Sequence, residues 1–167
     1  ESDLKNITLK RTSILGLKFH TSVIMGALNI TPDSFSDGGL FFDETKAYEQ
    51  AKLMINSGAT IIDMGGESTR PGSKTIDEKV EWQRVKNIIV KLKKNFPKTL
   101  LSLDTRKSYV MNKGIENGVD IINDVSGLNF DKRSFDLIYS KKKPFILHHM
   151  QGTPETMQNN PTYDDVL

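Results

Sequence analysis

The sequence predicts an α/β protein that forms part of a (β/α)8 TIM barrel, with about five βα units present. Three observations lead to this prediction. Short apolar runs of the strand type alternate with segments of helical periodicity, which is the pattern of βαβ units and a parallel sheet. Each predicted strand ends in a polar residue. The 167 residues also fall short of the roughly 250 that a complete barrel usually needs.

The first βα unit lies between residues 22 and 58. The apolar run SVIMGALNI (22–30) is predicted as a buried strand. A helix is predicted over 43–58, because its apolar residues share one stripe, Asp43 is suited to the N-cap and Gly58 to the end. A strand followed directly by such a helix is one repeat of the barrel.

The second unit consists of the strand ATIIDMGG (59–66) and a long helix. Thr75 is predicted to begin this helix, because Glu78 follows three residues later and completes a capping box; Pro97 closes the segment. Three further strands, separated by two shorter helices, are predicted over 99–105, 119–127 and 144–150.

An open doubly wound sheet is the alternative architecture. In such a sheet only the strand ends beside the switch point share a site, whereas in a barrel all strand ends meet at one rim. All five predicted strands end in polar side chains, which favours the barrel: Asn29, Asp63, Asp104, Asn123 and His148.

The composition is that of a globular protein with one core, since 37% of the residues are hydrophobic and 26% are charged. The net charge of +2 is small and dispersed, which argues against nucleic acid as a partner. The absence of cysteine excludes disulfides and thiolate nucleophiles. No apolar run is long enough to cross a membrane, so we expect no membrane partner and a cytoplasmic protein.

The first polar loop begins at Asn29 and continues over 31–40. Asn29 offers an amide oxygen that suits Mg²⁺, although an Asn at this position also caps strands through an Asx-turn. Phe35, beside Asp33 and Ser34, indicates a mobile lid over an aromatic substrate, although many loops carry one stray aromatic.

The second polar loop is GGESTRPGS (65–73). Its glycines permit a close approach of the backbone, and Thr69 offers a hydroxyl. Arg70 is a planar cation suited to a phosphate or carboxylate, and Pro71 turns the chain. The alternative is a surface turn on which Arg70 is exposed or paired with Glu67.

Asp104 and Asn123 end the third and fourth strands. A carboxylate and an amide together match the N–H-rich edge of a flat heterocycle. Alternatively, Asp104 caps the following helix or pairs with Arg106. His148 and His149 point to opposite faces of their strand, so at most one faces the barrel interior, and a zinc site is not expected.

Five segments together resemble dihydropteroate synthase in order and spacing, and they cover nearly the whole chain: IMGALNITPDSFSDGG, GATIIDMGGESTRPGS, LSLDT, IINDVSG and HHMQGTPETMQ. The resemblance implies a (β/α)8 barrel and a single pterin-binding domain over 1–167. It also implies the transfer of a pterin from 6-hydroxymethyl-7,8-dihydropterin diphosphate to p-aminobenzoate in folate biosynthesis, with release of pyrophosphate. The assembly is not fixed by the sequence, and a homodimer is one expectation.

The same resemblance implies roles for individual residues. Asp33 and Arg70 are implied to be catalytic, and Asn29 to hold Mg²⁺. Asp104 and Asn123 are implied to hold the pterin ring. The other matched positions are implied to bind substrate, in part at the aminobenzoate pocket that sulfonamide drugs also occupy: Ser34, Phe35, Thr69, Pro71 and Met150.

Two departures from the family pattern affect these expectations. His148 stands where Met is more often expected. The later family motifs, which include a Ser-Arg-Lys stretch and an Arg-x-His, do not occur in the 167 residues, so we expect a C-terminally incomplete domain that is inactive by itself. The alternative functions are a non-catalytic pterin-binding module and a methyltetrahydrofolate-type methyltransferase domain.

Overall fold

The computed structural model describes residues 13–31, 44–68, 73–149, 151–152, 156, 160 and 162–164. In chain order, its elements are β1 Ser13–Ile14, β2 Leu17–Lys18, β3 Met25–Asn29, α1 Glu44–Asn56, β4 Ile61–Gly65, α2 Glu78–Asn95, β5 Leu100–Asp104, α3 Ser108–Glu116, β6 Ile121–Asp124, α4 Ser134–Lys141 and β7 Phe145–Leu147.

Five parallel strands form one sheet in the order β3-β4-β5-β6-β7, which is also their order in the chain. Within the described ranges, a helix precedes each of the strands β4 to β7 and follows the strand before it. A doubly wound sheet would reverse its strand order at a switch point, so consecutive order identifies the barrel arrangement. The predicted α/β class and the five strands of a partial barrel are confirmed.

The helix layer packs on one face of this sheet. Alternate strand residues point to that face, and Leu28, Ile62 and Leu103 are at most 1% exposed there. Helix side chains such as Val85 and Met111 complete the same apolar cluster. Burial of each such side chain contributes about 1.5–3 kcal/mol, so this layer fixes the strands and leaves their other face for a site.

The antiparallel hairpin β1–β2 was not predicted. Its strands are two residues each, too short for a periodic signal, and its turn contains Leu15 and Gly16 with positive φ angles of 48° and 81°. Among the helices in the described ranges, none combines the length and the apolar character needed to cross a membrane.

The predicted start of α2 was wrong by two residues. Asp77, not Thr75, is the N-cap, and its carboxylate accepts hydrogen bonds from the backbone N–H groups of Lys79 and Val80. The hydroxyl of Thr75 instead accepts a hydrogen bond from Arg106 at 3.3 Å. The capping-box pattern failed because a distant cation engages the expected cap residue.

Candidate active site

Four residues lie side by side across the carboxyl ends of the strands, and we call them the strand-end row: Asn29, Gly65, Asp104 and Asn123. Paired residues of parallel strands point to the same face, and this face is opposite to the helix layer. Neighbouring strands lie about 4.8 Å apart, so three intervals span roughly 14 Å. One small molecule can therefore contact the whole row.

A chain of hydrogen bonds connects three strands beside this row. The side chain of Asn123 donates through Nδ2 to Asp63 Oδ2 at 2.9 Å, and its Oδ1 lies 2.8 Å from His148 Nε2. His149 Nε2 instead contacts Tyr163 Oη at 3.2 Å. Of the two histidines, His148 is therefore the one that joins the row.

The carboxyl group of Asp104 has a perturbed proton affinity. Burial raises its pKa to about 7, and the nearby carboxylates of Asp63, Glu81 and Asp124 act in the same direction against the opposing charge of Arg106. At neutral pH the group is therefore close to half protonated. A ligand that brings N–H donors to this carboxyl would favour the charged form.

In the row and beside it lie two buried acceptors that have no hydrogen-bond partner among the described residues. These are Oδ1 of Asp63 and Oδ1 of Asp104. A buried polar atom without a partner costs free energy, which a bound ligand with matching donors would recover. The arrangement is therefore suited to a flat molecule with several N–H groups on one edge.

The two structural alternatives for Asp104 are not what the structure shows. The N-cap of α3 is Lys107, and the backbone N–H of Ser108 donates to Asp131 rather than to Asp104. Arg106 forms its ion pair with Glu67. Asp104 is thus positioned by its strand and directed at the site.

Behind the row, two acidic and two basic side chains form a buried ion network that sequence reasoning missed. Arg106 and Lys107 contact the carboxylate of Glu67 at 2.5 and 2.6 Å, and Lys107 also contacts Glu81 at 2.5 Å. All four are at most 5% exposed. Charged residues dispersed in sequence are usually solvated, so only the spatial arrangement reveals this network.

The two glutamates of the network differ in proton affinity. For Glu67, burial is outweighed by hydrogen bonds from Arg106 and Lys107, which hold its pKa below the ordinary value. For Glu81, burial dominates and raises the pKa despite the contact with Lys107. Lys107 is therefore the group on which the charge balance of both carboxylates depends.

This ion network holds both ends of the second loop. Glu67, before residues 69–72, accepts a hydrogen bond from the backbone N–H of Ile76, which follows them, at 2.8 Å. The hydroxyl of Ser73 donates to the carbonyl of Ser68 at 2.6 Å. The ends of the segment that contains Thr69 and Arg70 are thus fixed beside the row.

The two glycines that begin this loop have different roles, which leads to a first prediction. A Cβ at Gly66 would lie 2.9 Å from the carbonyl oxygen of Glu81 and 3.0 Å from Val85, whereas a Cβ at Gly65 would meet Asp104 Oδ2 at an ordinary 3.5 Å. Gly66→Ala should therefore lower the free energy of unfolding by about 1–3 kcal/mol. Urea denaturation of the complete protein measures this change.

Gly65→Ala is the matched control. The added methyl group would overlap with no neighbouring atom, so we expect the free energy of unfolding to change by less than about 0.5 kcal/mol. The methyl would, however, occupy the gap between Asn29 and Asp104 in the row. Equal destabilisation by both alanines would contradict this assignment.

The fit of Mg²⁺ rests on Asn29, which is exposed at the end of β3. Mg²⁺ in phosphate-transfer sites commonly takes only one or two protein ligands and completes its shell with substrate phosphate and water. Within the described ranges no group of three or more metal-binding side chains is present. Asn29 thus offers one amide oxygen to a metal, and its role as a magnesium ligand stays a prediction.

The remaining residues singled out from the sequence lie outside the described ranges: Asp33, Ser34, Phe35, Thr69, Arg70, Pro71 and Met150. The same holds for Asp43, the expected N-cap of α1. Their roles stay predictions.

Comparison with known proteins is consistent with this geometry. The model of the family described as "Pterin binding enzyme" matches residues 25–167. The dihydropteroate synthase of Escherichia coli is 45% identical over 144 residues, which is 86% of this chain and 50% of that protein. The chain thus spans about half the length of the curated relatives it matches.

Solved structures give the same result. The dihydropteroate synthase of Yersinia pestis, in complex with a sulfonamide drug, superposes with a TM-score of 0.80 at 39% identity over 92% of this chain and 56% of that one. The enzyme of Xanthomonas albilineans, solved with 4-aminobenzoic acid, has a TM-score of 0.79 at 36% identity over 90% and 52%. With its barrel order, its polar strand-end row and this family match, the chain belongs to the pterin binding enzyme family.

Proposed function

We propose that the complete protein containing this chain is a dihydropteroate synthase, which joins p-aminobenzoate to 6-hydroxymethyl-7,8-dihydropterin diphosphate. The observation that carries the proposal is the strand-end row together with the two buried carboxylate oxygens, one on Asp104 in the row and one on Asp63 beside it, that have no partner among the described residues. The identity to dihydropteroate synthases and the 4-aminobenzoic acid in a related structure support the same reaction.

Ring recognition follows from the donors and acceptors of the row. The aminopyrimidine edge of a pterin presents adjacent N–H groups, and the carboxylate of Asp104 can accept two of them in parallel. Asn123 has one N–H and one lone pair beyond its contacts with Asp63 and His148. Gly65 leaves space for the ring between Asn29 and Asp104.

The reaction needs positioning rather than a covalent enzyme intermediate. The amine nitrogen of p-aminobenzoate attacks the methylene carbon of the pterin, the C–O bond to diphosphate breaks, and the amine proton passes to solvent. A bound Mg²⁺, held at Asn29, would neutralise the charge of the leaving diphosphate. The row contributes by fixing the pterin so that its methylene faces the second substrate.

The second loop and the first loop complete the proposal. Arg70 and Thr69 are proposed to bind the diphosphate or the aminobenzoate, and the anchoring of both ends of their segment by Glu67 supports a fixed location. Catalysis by Asp33, and substrate contacts of Ser34 and Phe35 in the first loop, Pro71 in the second loop and Met150, are proposed on the family pattern alone. A cytoplasmic location and a homodimer stay predictions.

Turnover by the complete protein tests the function. With both substrates and Mg²⁺, we expect release of pyrophosphate and formation of 7,8-dihydropteroate, and removal of the metal with EDTA should abolish both. Binding of the pterin diphosphate without turnover would instead support the non-catalytic pterin-binding module. Failure of pyrophosphate with Mg²⁺ to bind would favour the methyltransferase alternative.

A further inference from the structure

The contact between His148 and Asn123 has a consequence for ring recognition. Asp63 lies on β4, Asn123 on β6 and His148 directly after β7, and their side chains form one continuous chain of hydrogen bonds. Asn123 is 6% exposed and Asp63 is 9% exposed, whereas His148 is solvent-exposed. The histidine is thus the accessible end of a chain whose other members are buried.

The direction of each hydrogen bond follows from the orientation of the Asn123 amide. The Nδ2 of Asn123 donates to Asp63 Oδ2, so the amide presents its N–H group to that carboxyl. The Oδ1 of Asn123 then faces His148, and an amide oxygen only accepts. His148 must therefore carry a proton on Nε2, which leaves Nδ1 as the acceptor in the neutral ring.

We propose that His148 is a positioning residue that fixes the orientation of the Asn123 amide for recognition of the pterin ring. Held from both ends, the amide retains one N–H and one lone pair in fixed directions. Without His148, the oxygen end is free, and the amide samples orientations that mismatch the ring. This inference rests on the proposed function, because the pterin ring is the ligand with which the amide would form hydrogen bonds.

The surroundings of His148 agree with a fixed imidazole. A Cβ at Gly127, in the loop after β6, would lie 2.8 Å from the backbone carbonyl oxygen of His148, so this loop packs closely on the end of β7. A cavity of about 280 Å³ opens beside the ring and is lined by Ser126, Gly127, Asn129, Leu147, His148 and His149. The backbone at His148 is held, while its ring remains open to a ligand-sized space.

Two experiments on the complete protein test the inference. The first needs no ligand: ¹⁵N NMR of the histidine side chains at about pH 8.5, where an ordinary imidazole is neutral. We expect His148 in the Nε2–H tautomer with an Nε2 proton that exchanges slowly with solvent because it is hydrogen-bonded, and we expect Asn123→Leu to speed that exchange. A dominant Nδ1–H tautomer in the unmodified protein would overturn the inference, whether or not the protein binds pterin.

The second experiment measures binding of 6-hydroxymethyl-7,8-dihydropterin by calorimetry. His148→Met should weaken binding about fivefold to tenfold, the effect of one lost neutral hydrogen bond, and His148→Gln, which keeps an N–H donor, should restore much of it. In turnover, KM should rise while kcat is retained. Unchanged affinity in His148→Met, or no restoration by His148→Gln, would overturn the inference.

His20→Met is the matched control, because His20 is an exposed side chain that precedes β3, whereas the strand-end row lies at the carboxyl ends of the strands. We expect its affinity to equal that of the unmodified protein, and we expect both methionine variants to unfold at the unmodified temperature. Absence of pterin binding by the unmodified protein would contradict the proposed function instead, while the tautomer measurement would still decide the role of His148.

Discussion

Lys107→Met is expected to lower the free energy of unfolding by about 3–5 kcal/mol, the largest stability effect among these variants. Glu67 and Glu81 are 5% and 1% exposed. The substitution leaves these two buried carboxyl groups without the cation that contacts both. At about 2–4 °C per kcal/mol for a protein of this size, the unfolding temperature should fall by roughly 10 °C. Calorimetry of the complete protein measures it.

The loss of stability caused by Lys107→Met should depend on pH in a defined direction. Without Lys107, the folded-state pKa of Glu81, which burial already raises, rises further because that cation no longer opposes burial, while Arg106 and the Ile76 N–H still favour the charged form of Glu67. A raised folded-state pKa gives stability that is present at low pH and is lost as pH rises. The variant should therefore be closest to the unmodified protein at about pH 5 and furthest from it at about pH 8.

Lys113→Met is the control for this substitution. Lys113 forms an ion pair with Glu116 at 3.1 Å, but the two side chains are 39% and 45% exposed, so its loss should leave the unfolding temperature almost unchanged. Combining Lys107→Met with Glu81→Leu should cost less than the sum of the single changes. A loss from Lys107→Met as small as that of Lys113→Met would show that the network contributes little.

Asp104→Asn is expected to weaken binding of the pterin diphosphate about 10- to 100-fold, as when a charge-assisted hydrogen bond is lost. The same variant should be more stable than the unmodified protein by about 1–2 kcal/mol at about pH 8, because it removes a carboxylate that burial disfavours. Opposite changes in affinity and stability are the signature of a group retained for binding. Calorimetry and urea denaturation measure the two effects.

The sign of the pH dependence follows from the raised pKa of Asp104. Since the folded-state pKa of about 7 exceeds the ordinary 3.8, the destabilisation by this group grows as pH rises from about 4 to about 7. Ligand binding needs the carboxylate, so affinity should fall by up to tenfold per pH unit below about 7. In Asp104→Asn this dependence should disappear.

Asp136→Asn supplies the control, since it makes the same chemical change on an exposed side chain of α4. We expect no change in affinity for the pterin diphosphate. The free energy of unfolding should change by less than about 0.5 kcal/mol. If Asp104→Asn bound the pterin diphosphate with unaltered affinity, Asp104 would not be a ring-binding residue, whatever the stability result.

Much of the fold could be predicted because each strand and helix has a local signal. Glycines that end helices have the expected conformation, with Gly58 at φ 103° and Gly118 at φ 98°. The hairpin β1–β2 had no such signal because it is too short for periodicity. The start of α2 was misplaced because Arg106, about 30 residues away, engages Thr75.

The site was predictable to the extent that it follows from strand ends. Asp104 and Asn123 were found because parallel strands bring their carboxyl ends to one edge, and the register places the two side by side. The partners of Glu67 were not predicted. The sequence suggested Arg70, whereas the structure pairs Glu67 with Arg106 and Lys107. Which charges meet is decided by packing between distant segments.

The consecutive order of strands also bears on how the protein is made. Each strand from β4 to β7 pairs with the strand that precedes it in the chain, so each new repeat adds to a surface that has already left the ribosome. Such short-range pairing keeps the entropic cost of loop closure low at every step. The strand-end row can thus assemble during synthesis, once β6 has left the ribosome.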